Sequence, residues 1–109
     1  MARGDVVIQA AGAGYGRKPR PAIIIQADEF LGGSSVTICL ITSVFKDLPL
    51  IRPQIEPSSE NGLKEPSWAM ADKIVTIRRD RVGRQIGRLT ADEMARLDQA
   101  IRIFLGLGM

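Results

Sequence analysis

Apolar positions in the first half of the chain fall into short β-branched runs at residues 4–9, 22–26 and 36–42, separated by clusters of Gly, Pro, Ser and Asp. Runs of this length with such punctuation predict strands, and helical spacing is absent there. Residues 52–56 set Arg52, Gln54 and Glu56 between apolar or proline positions, a strand pattern that the nearby prolines confine to a sheet edge. Residues 57–66 hold Ser58-Ser59, Asn61-Gly62 and two prolines and read as a polar loop. Strand patterns resume at residues 67–71 and 73–78. Residues 82–89 complete the sheet, with Gly83 and Gly87 marking a bend or a close backbone approach.

The period then changes. Thr90 and Glu93 form a T-x-x-E capping box, and Met94, Leu97, Ile101 and Phe104 recur at three- and four-residue spacing. This predicts one amphipathic helix whose other face carries Asp92, Arg96, Gln99 and Arg102, with Gly106 and Gly108 as its stop. The expected fold class is therefore mainly β with a C-terminal helix: a small, strongly bent antiparallel sheet covered by the helix's apolar stripe.

With 109 residues, 45% of them apolar, there is material for one compact core, so a single domain is expected over residues 1–109. The longest apolar stretches fall far short of the roughly 20 residues that cross a bilayer, and the start at Arg3 and Asp5 is too polar for a signal peptide. A cytoplasmic protein with no membrane contact is expected. The single cysteine, Cys39, cannot form an internal disulfide and lies in an apolar run, where it packs as a small hydrophobe. Net charge is only +3, but Lys73, Arg78, Arg79, Arg81, Arg84 and Arg88 stand against Asp80 alone, a local +5. That stretch is either a solvated basic strand edge, which discourages edge-to-edge aggregation, or a face for a polyanion.

Zero histidines and one cysteine remove the commonest general base and every His-ligated or thiolate-cluster metal site, so neither metal nor cofactor is expected. Gly12-Ala13-Gly14-Tyr15-Gly16 lacks the ending of a P-loop and the G-x-G-x-x-G spacing, and fits a mobile loop over a binding site better. Arg17-Lys18-Pro19-Arg20-Pro21 places three cations and stiffening prolines before an apolar strand, as an anion site or as a solvated turn. Thr42-Ser43 ends the third strand with two hydroxyls, either turn chemistry or part of a site.

A collinear set of fragments runs through nearly the whole chain. Arg3-Gly4-Asp5-Val6-Val7, Arg20-Pro21-Ala22-Ile23-Ile24-Ile25-Gln26 with Asp28, Ile41-Thr42-Ser43 and Leu48-Pro49 come first. Gly62-Leu63, Ser67, Thr76-Ile77, Arg81, Ile86-Gly87-Arg88-Leu89, Glu93-Met94, Asp98 and Leu105-Gly106-Leu107 follow. In order and spacing this resembles the MazF/PemK toxins. The resemblance implies an SH3-like β-barrel with a C-terminal helix, acting as a homodimer that lays single-stranded RNA (mRNA, or tRNA or rRNA) across itself. It implies metal-independent, sequence-specific cleavage through the ribose 2′-hydroxyl, leaving a 2′,3′-cyclic phosphate and a 5′-hydroxyl. It also implies a cognate antitoxin whose acidic, disordered C-terminal segment competes for the same face.

Carried over residue by residue, the family's essential arginine corresponds to Arg20 and its essential threonine to Thr42. A guanidinium stays charged and donates paired hydrogen bonds, which suits Arg20 to stabilising the transition state while Thr42 positions the phosphate. RNA contacts are expected from Arg17, Lys18, Ser43, Ser67, Trp68, Lys73, Arg79, Arg81, Arg84 and Arg88. Trp68 is either a base-stacking platform or a core or interface residue. Two departures matter: the first loop lacks the glutamate many relatives carry, so its acid-base role does not transfer. Trp68 and Asp72-Lys73 also stand where an apolar residue and Glu-Gln are common, so RNA-sequence preference is expected to differ. The competing reading is a non-catalytic gyrase poison of the CcdB type, which shares the fold but lacks Arg20 and Thr42 in these contexts. A scaffold for proline-rich peptides would want more aromatic residues than one Trp, one Tyr and three Phe.

Overall fold

A computed structural model describes residues 1–9 and 18–108. Six strands and one helix follow in chain order: β1 (Asp5–Gln9), β2 (Arg20–Ile24), β3 (Ser35–Thr42), β4 (Gln54–Ile55), β5 (Ser67–Arg78), β6 (Val82–Arg88) and α1 (Ala91–Leu105). Two short 3-10 turns, Asp28–Phe30 and Arg79–Arg81, were not foreshadowed by the hydrophobic pattern. The strands form one sheet in the order β4-β5-β3-β2-β1-β6, with every neighbouring pair antiparallel, curled into a half-barrel. As the prolines require, β4 is an edge strand, and it is only two residues long. The patterns at 67–71 and 73–78 are one strand, β5. Gln26 lies beyond β2; its side chain instead accepts from the Thr37 amide at 2.8 Å.

Alternation along the strands sends side chains to two cores. Val6, Ile23, Cys39 and Ile41 face the helix and pack with Leu97, while Val7, Ala22, Ile24, Val36, Ile38 and Leu40 form a second core on the opposite face of the sheet. Each buried aliphatic side chain contributes about 1.5 to 3 kcal/mol, which is why register is firmly set: a one-residue slip would exchange the two sets. Cys39 belongs to this packing, as expected, and burial pushes its thiol up to about 12.

The helix begins at the expected capping box: Thr90 Oγ1 accepts from the Glu93 amide at 3.1 Å, and Glu93 Oε1 accepts from the Thr90 amide at 2.8 Å. It ends at Gly106, whose φ of 72° is the left-handed conformation glycine adopts at lowest cost. Met94, Leu97 and Ile101 face the sheet, but Phe104 is exposed; its turn runs past the covered region, and Ala100 takes the buried place instead. The two strand glycines mark close approaches. A Cβ on Gly83 would stand 2.5 Å from the Ile8 carbonyl oxygen, and one on Gly87 would stand 2.3 Å from the Asn61 carbonyl carbon.

Residues 57–66 form the expected polar loop, mostly exposed, but it contains a buried anchor. Asn61 is fully buried: its Oδ1 accepts from the Ser58 and Leu63 amides at 3.0 Å each, and its Nδ2 donates to the Glu56 carbonyl at 2.8 Å and to Glu93 Oε2 at 3.1 Å. Asn61 thereby ties this segment to the first turn of α1. The start of the chain is held similarly, by Arg3 donating to Asp98 at 2.7 Å and Arg88 donating to buried Asp5 at 2.6 Å. No helix among the described residues is long and apolar enough to cross a membrane.

Candidate active site

Strand pairing positions the site. Gln9 pairs with Arg20 across β1 and β2, and Ala22 pairs with Leu40 across β2 and β3. Arg20 opens β2 and Thr42 closes β3, each two residues beyond that last pair, and Thr42 pairs with Trp68 on β5. Gln9, Arg20 and Thr42 have the parity of Val7, Ala22 and Leu40, so they continue the row of the second core to its rim. Below them the row is aliphatic and packed; at the rim it turns polar.

There Gln9, Arg20, Thr42 and Lys73 line one cavity of about 350 Å³ with Leu40, Ile41, Val44 and Met70. No carboxylate is among these residues. Thr42 Oγ1 accepts from the Val44 amide at 3.1 Å, which occupies a lone pair and leaves its hydrogen to donate to a ligand oxygen. Lys73 reaches the cavity because β5 is irregular: the strand advances from Ala69 to Ile74 while its partner advances only from Cys39 to Ile41. Two contacts brace that irregularity. Arg52 donates a forked pair to Asp72 at 3.0 and 2.9 Å, and the Cys39 thiol donates to the Met70 carbonyl at 3.3 Å. The Arg52 hydrogen bond holds the Asp72 carboxyl below its ordinary range.

A second cavity of about 680 Å³ adjoins the first through Arg20, which lines both. Lys18, Ser43, Ser67 and Arg84 line it, with Gly62, Leu63, Lys64 and Glu65 from the segment Asn61 anchors. Ser67 is buried and its hydroxyl already donates to the Glu65 carbonyl at 2.9 Å. Trp68 is half-buried and tilted against exposed Phe45, ring centroids 5.4 Å apart, in a neighbouring hollow that also holds Arg52.

The +5 stretch is divided rather than gathered. Lys73 faces the first cavity and Arg84 the second. Arg79 donates its guanidinium to the Leu31 carbonyl beside Ser34 and Ser35, at the other end of β3 from Thr42, about 23 Å of extended strand. Arg81 closes the 3-10 turn, and Arg88 is committed to Asp5 and to the Arg3 carbonyl. Arg17 and the glycine-rich loop lie outside the described residues. Two residues escaped the sequence reading. Phe45 gave no signal, whereas Gln9 gave a faint one: a polar residue at an inward position of an otherwise apolar strand. Its Oε1 is buried with no hydrogen-bond partner among the described residues, a state that costs about 1 to 3 kcal/mol.

Known proteins share this sequence pattern and fold. The chain belongs to the PemK-like, MazF-like toxins of type II toxin-antitoxin systems, whose family model matches residues 2–105. It is 42% identical over 107 residues to a probable endoribonuclease MazF of Mycolicibacterium smegmatis, covering 98% of both chains. The solved structure of the Mycobacterium tuberculosis toxin MazF-mt6 superposes with a TM-score of 0.82 at 27% identity, over 96% of this chain and 99% of that one. A mycobacterial endoribonuclease solved with its cognate antitoxin has the same fold, with a TM-score of 0.83 at 24% identity over 100% and 98% of the two chains.

Proposed function

We propose that this chain is a single cytoplasmic toxin domain that cuts single-stranded RNA without a metal, with Arg20 and Thr42 as its catalytic residues. The observation that supports the reading is that both line one cavity, beside Lys73 and with no carboxylate among its described lining residues. The relatives' names agree with it, and they lend nothing to a gyrase poison.

Arg20 grips the scissile phosphate with its fork and stabilises the charge that grows on the equatorial oxygens as the ribose 2′-oxygen attacks phosphorus. Thr42 donates its free hydrogen to one of those oxygens, oriented by the Val44 amide. As the O2′–P bond forms the P–O5′ bond breaks; the 2′-hydroxyl gives its proton to solvent water and the leaving 5′-oxygen takes one up from solvent, leaving a 2′,3′-cyclic phosphate and a 5′-hydroxyl. Lys73 adds positive charge beside the same phosphate, and Lys18 and Arg84 guide the flanking backbone through the second cavity. The working unit is a homodimer, and an acidic, disordered segment of the cognate antitoxin occupies the same cations.

The test is cleavage of single-stranded RNA in excess EDTA by wild type, Arg20→Ala and Thr42→Ala. Both residues lie at the rim, so truncation opens no core cavity and circular dichroism should be unchanged. Loss of about 100-fold or more in each variant is expected. Wild-type rates in both, or activity that needs added magnesium, would overturn the proposal.

A further inference from the structure

We propose that Gln9 reads the edge of a nucleobase next to the scissile phosphate and so sets base preference at one position of the cut site. The inference rests on the RNA cleavage proposed above. Gln9 closes β1, is 3% exposed, and lines the cavity shared by Arg20 and Thr42, with an amide oxygen that has no hydrogen-bond partner among the described residues. An acceptor in that state calls for a donor. Phosphate oxygens carry no hydrogen, and neither do the carboxylates of an acidic peptide, so the ligands that suit Arg20 leave the Gln9 Oε1 without a donor. Bases do: each presents an N–H on its edge, and an amide offers an acceptor and a donor side by side for bidentate reading.

The surroundings favour a base over a ribose. Arg20 is exposed and Thr42 half-buried, which puts the phosphate at the rim, while Gln9 lies deeper. Leu40, Met70 and Val44 give that depth apolar walls suited to the faces of a splayed base, in a cavity of about 350 Å³. Arg20 and Gln9 are direct cross-strand partners, so a base read by Gln9 belongs to a nucleotide flanking the phosphate that Arg20 holds.

The experiment compares wild type with Gln9→Leu and Gln9→Met on a pool of single-stranded RNA randomised around the cut, with fragment ends sequenced. Both substitutions keep the bulk and remove the amide, and neither leaves a buried polar group behind, so both should fold. Wild type should show a preference at one flanking position, and the variants should lose about 10- to 100-fold of it there while keeping the others. An unchanged preference profile in both variants overturns the inference and leaves the nuclease standing. So does an equal rate loss at every site, the pattern of a ribose contact. A wild-type protein that cuts no RNA refutes both proposals together.

Discussion

Replacing Asn61 with alanine should cost this protein a large share of its stability. Asn61 is fully buried and makes four hydrogen bonds, to the Ser58 and Leu63 amides, the Glu56 carbonyl and Glu93. At about 1 kcal/mol net for each, the loss is about 4 kcal/mol, set against the 5 to 15 kcal/mol that holds a typical domain folded. Part of that comes from the Leu63 amide, which is buried and has no water to turn to. Urea unfolding followed by circular dichroism measures it: with a slope of about 1.5 kcal/mol/M, the midpoint should fall by between 2 and 3 M, roughly. Asn61→Asp keeps both Oδ1 contacts but sets a carboxylate against Glu93, so its deficit should shrink on mild acidification. A loss below about 1 kcal/mol in the alanine variant would mean that water replaces these partners and that the segment is not anchored as described.

Other expectations follow from the packing and the ion pairs. Gly87→Ala drives a Cβ into the Asn61 backbone at 2.3 Å and should lower Tm by about 10 °C; an unchanged Tm would refute the close approach. Asp72→Asn should cost about 2 kcal/mol at pH 7. Because Arg52 depresses the folded-state value of Asp72, that contribution is present above the unfolded value near 3.8 and is lost as pH falls through the lower folded one. The gap between wild type and Asp72→Asn should therefore close below pH 4, roughly, and a gap constant from pH 7 to 3 would contradict it. Cys39, with its thiol pushed up to about 12 by burial, should resist iodoacetamide at pH 8 until urea unfolds the chain, and rapid labelling of the native protein would show the site to be open.

Local rules carried the strands, the capping box and the edge position of β4, because alternation, Thr90 with Glu93 and the prolines act within a few residues of each other. The bent sheet with its C-terminal helix followed from them. Contacts between distant residues were out of reach. Nothing local pairs Arg52 with Asp72 or joins Asn61 to Glu93, so the anchor buried inside the polar loop was not legible. How the +5 stretch is distributed was not legible for a related reason: strand alternation and a 3-10 turn send neighbouring cations to different sides. Arg20 and Thr42 were singled out through their family contexts, and the structure lines one cavity with both. Gln9 was missed because a glutamine ending a strand is ordinary until its depth is known.

The boundary between the packed interior row and the rim has a consequence for how such a toxin diverges. One step outward along β1 separates Val7, which holds the fold, from Gln9, which faces the cavity, and the same step separates Ala22 from Arg20 and Leu40 from Thr42. A rim residue can therefore be exchanged in a lineage while the aliphatic layer beneath stays untouched. Duplicated copies can thus diverge around the cavity, at residue 9 for instance, without passing through unfolded intermediates.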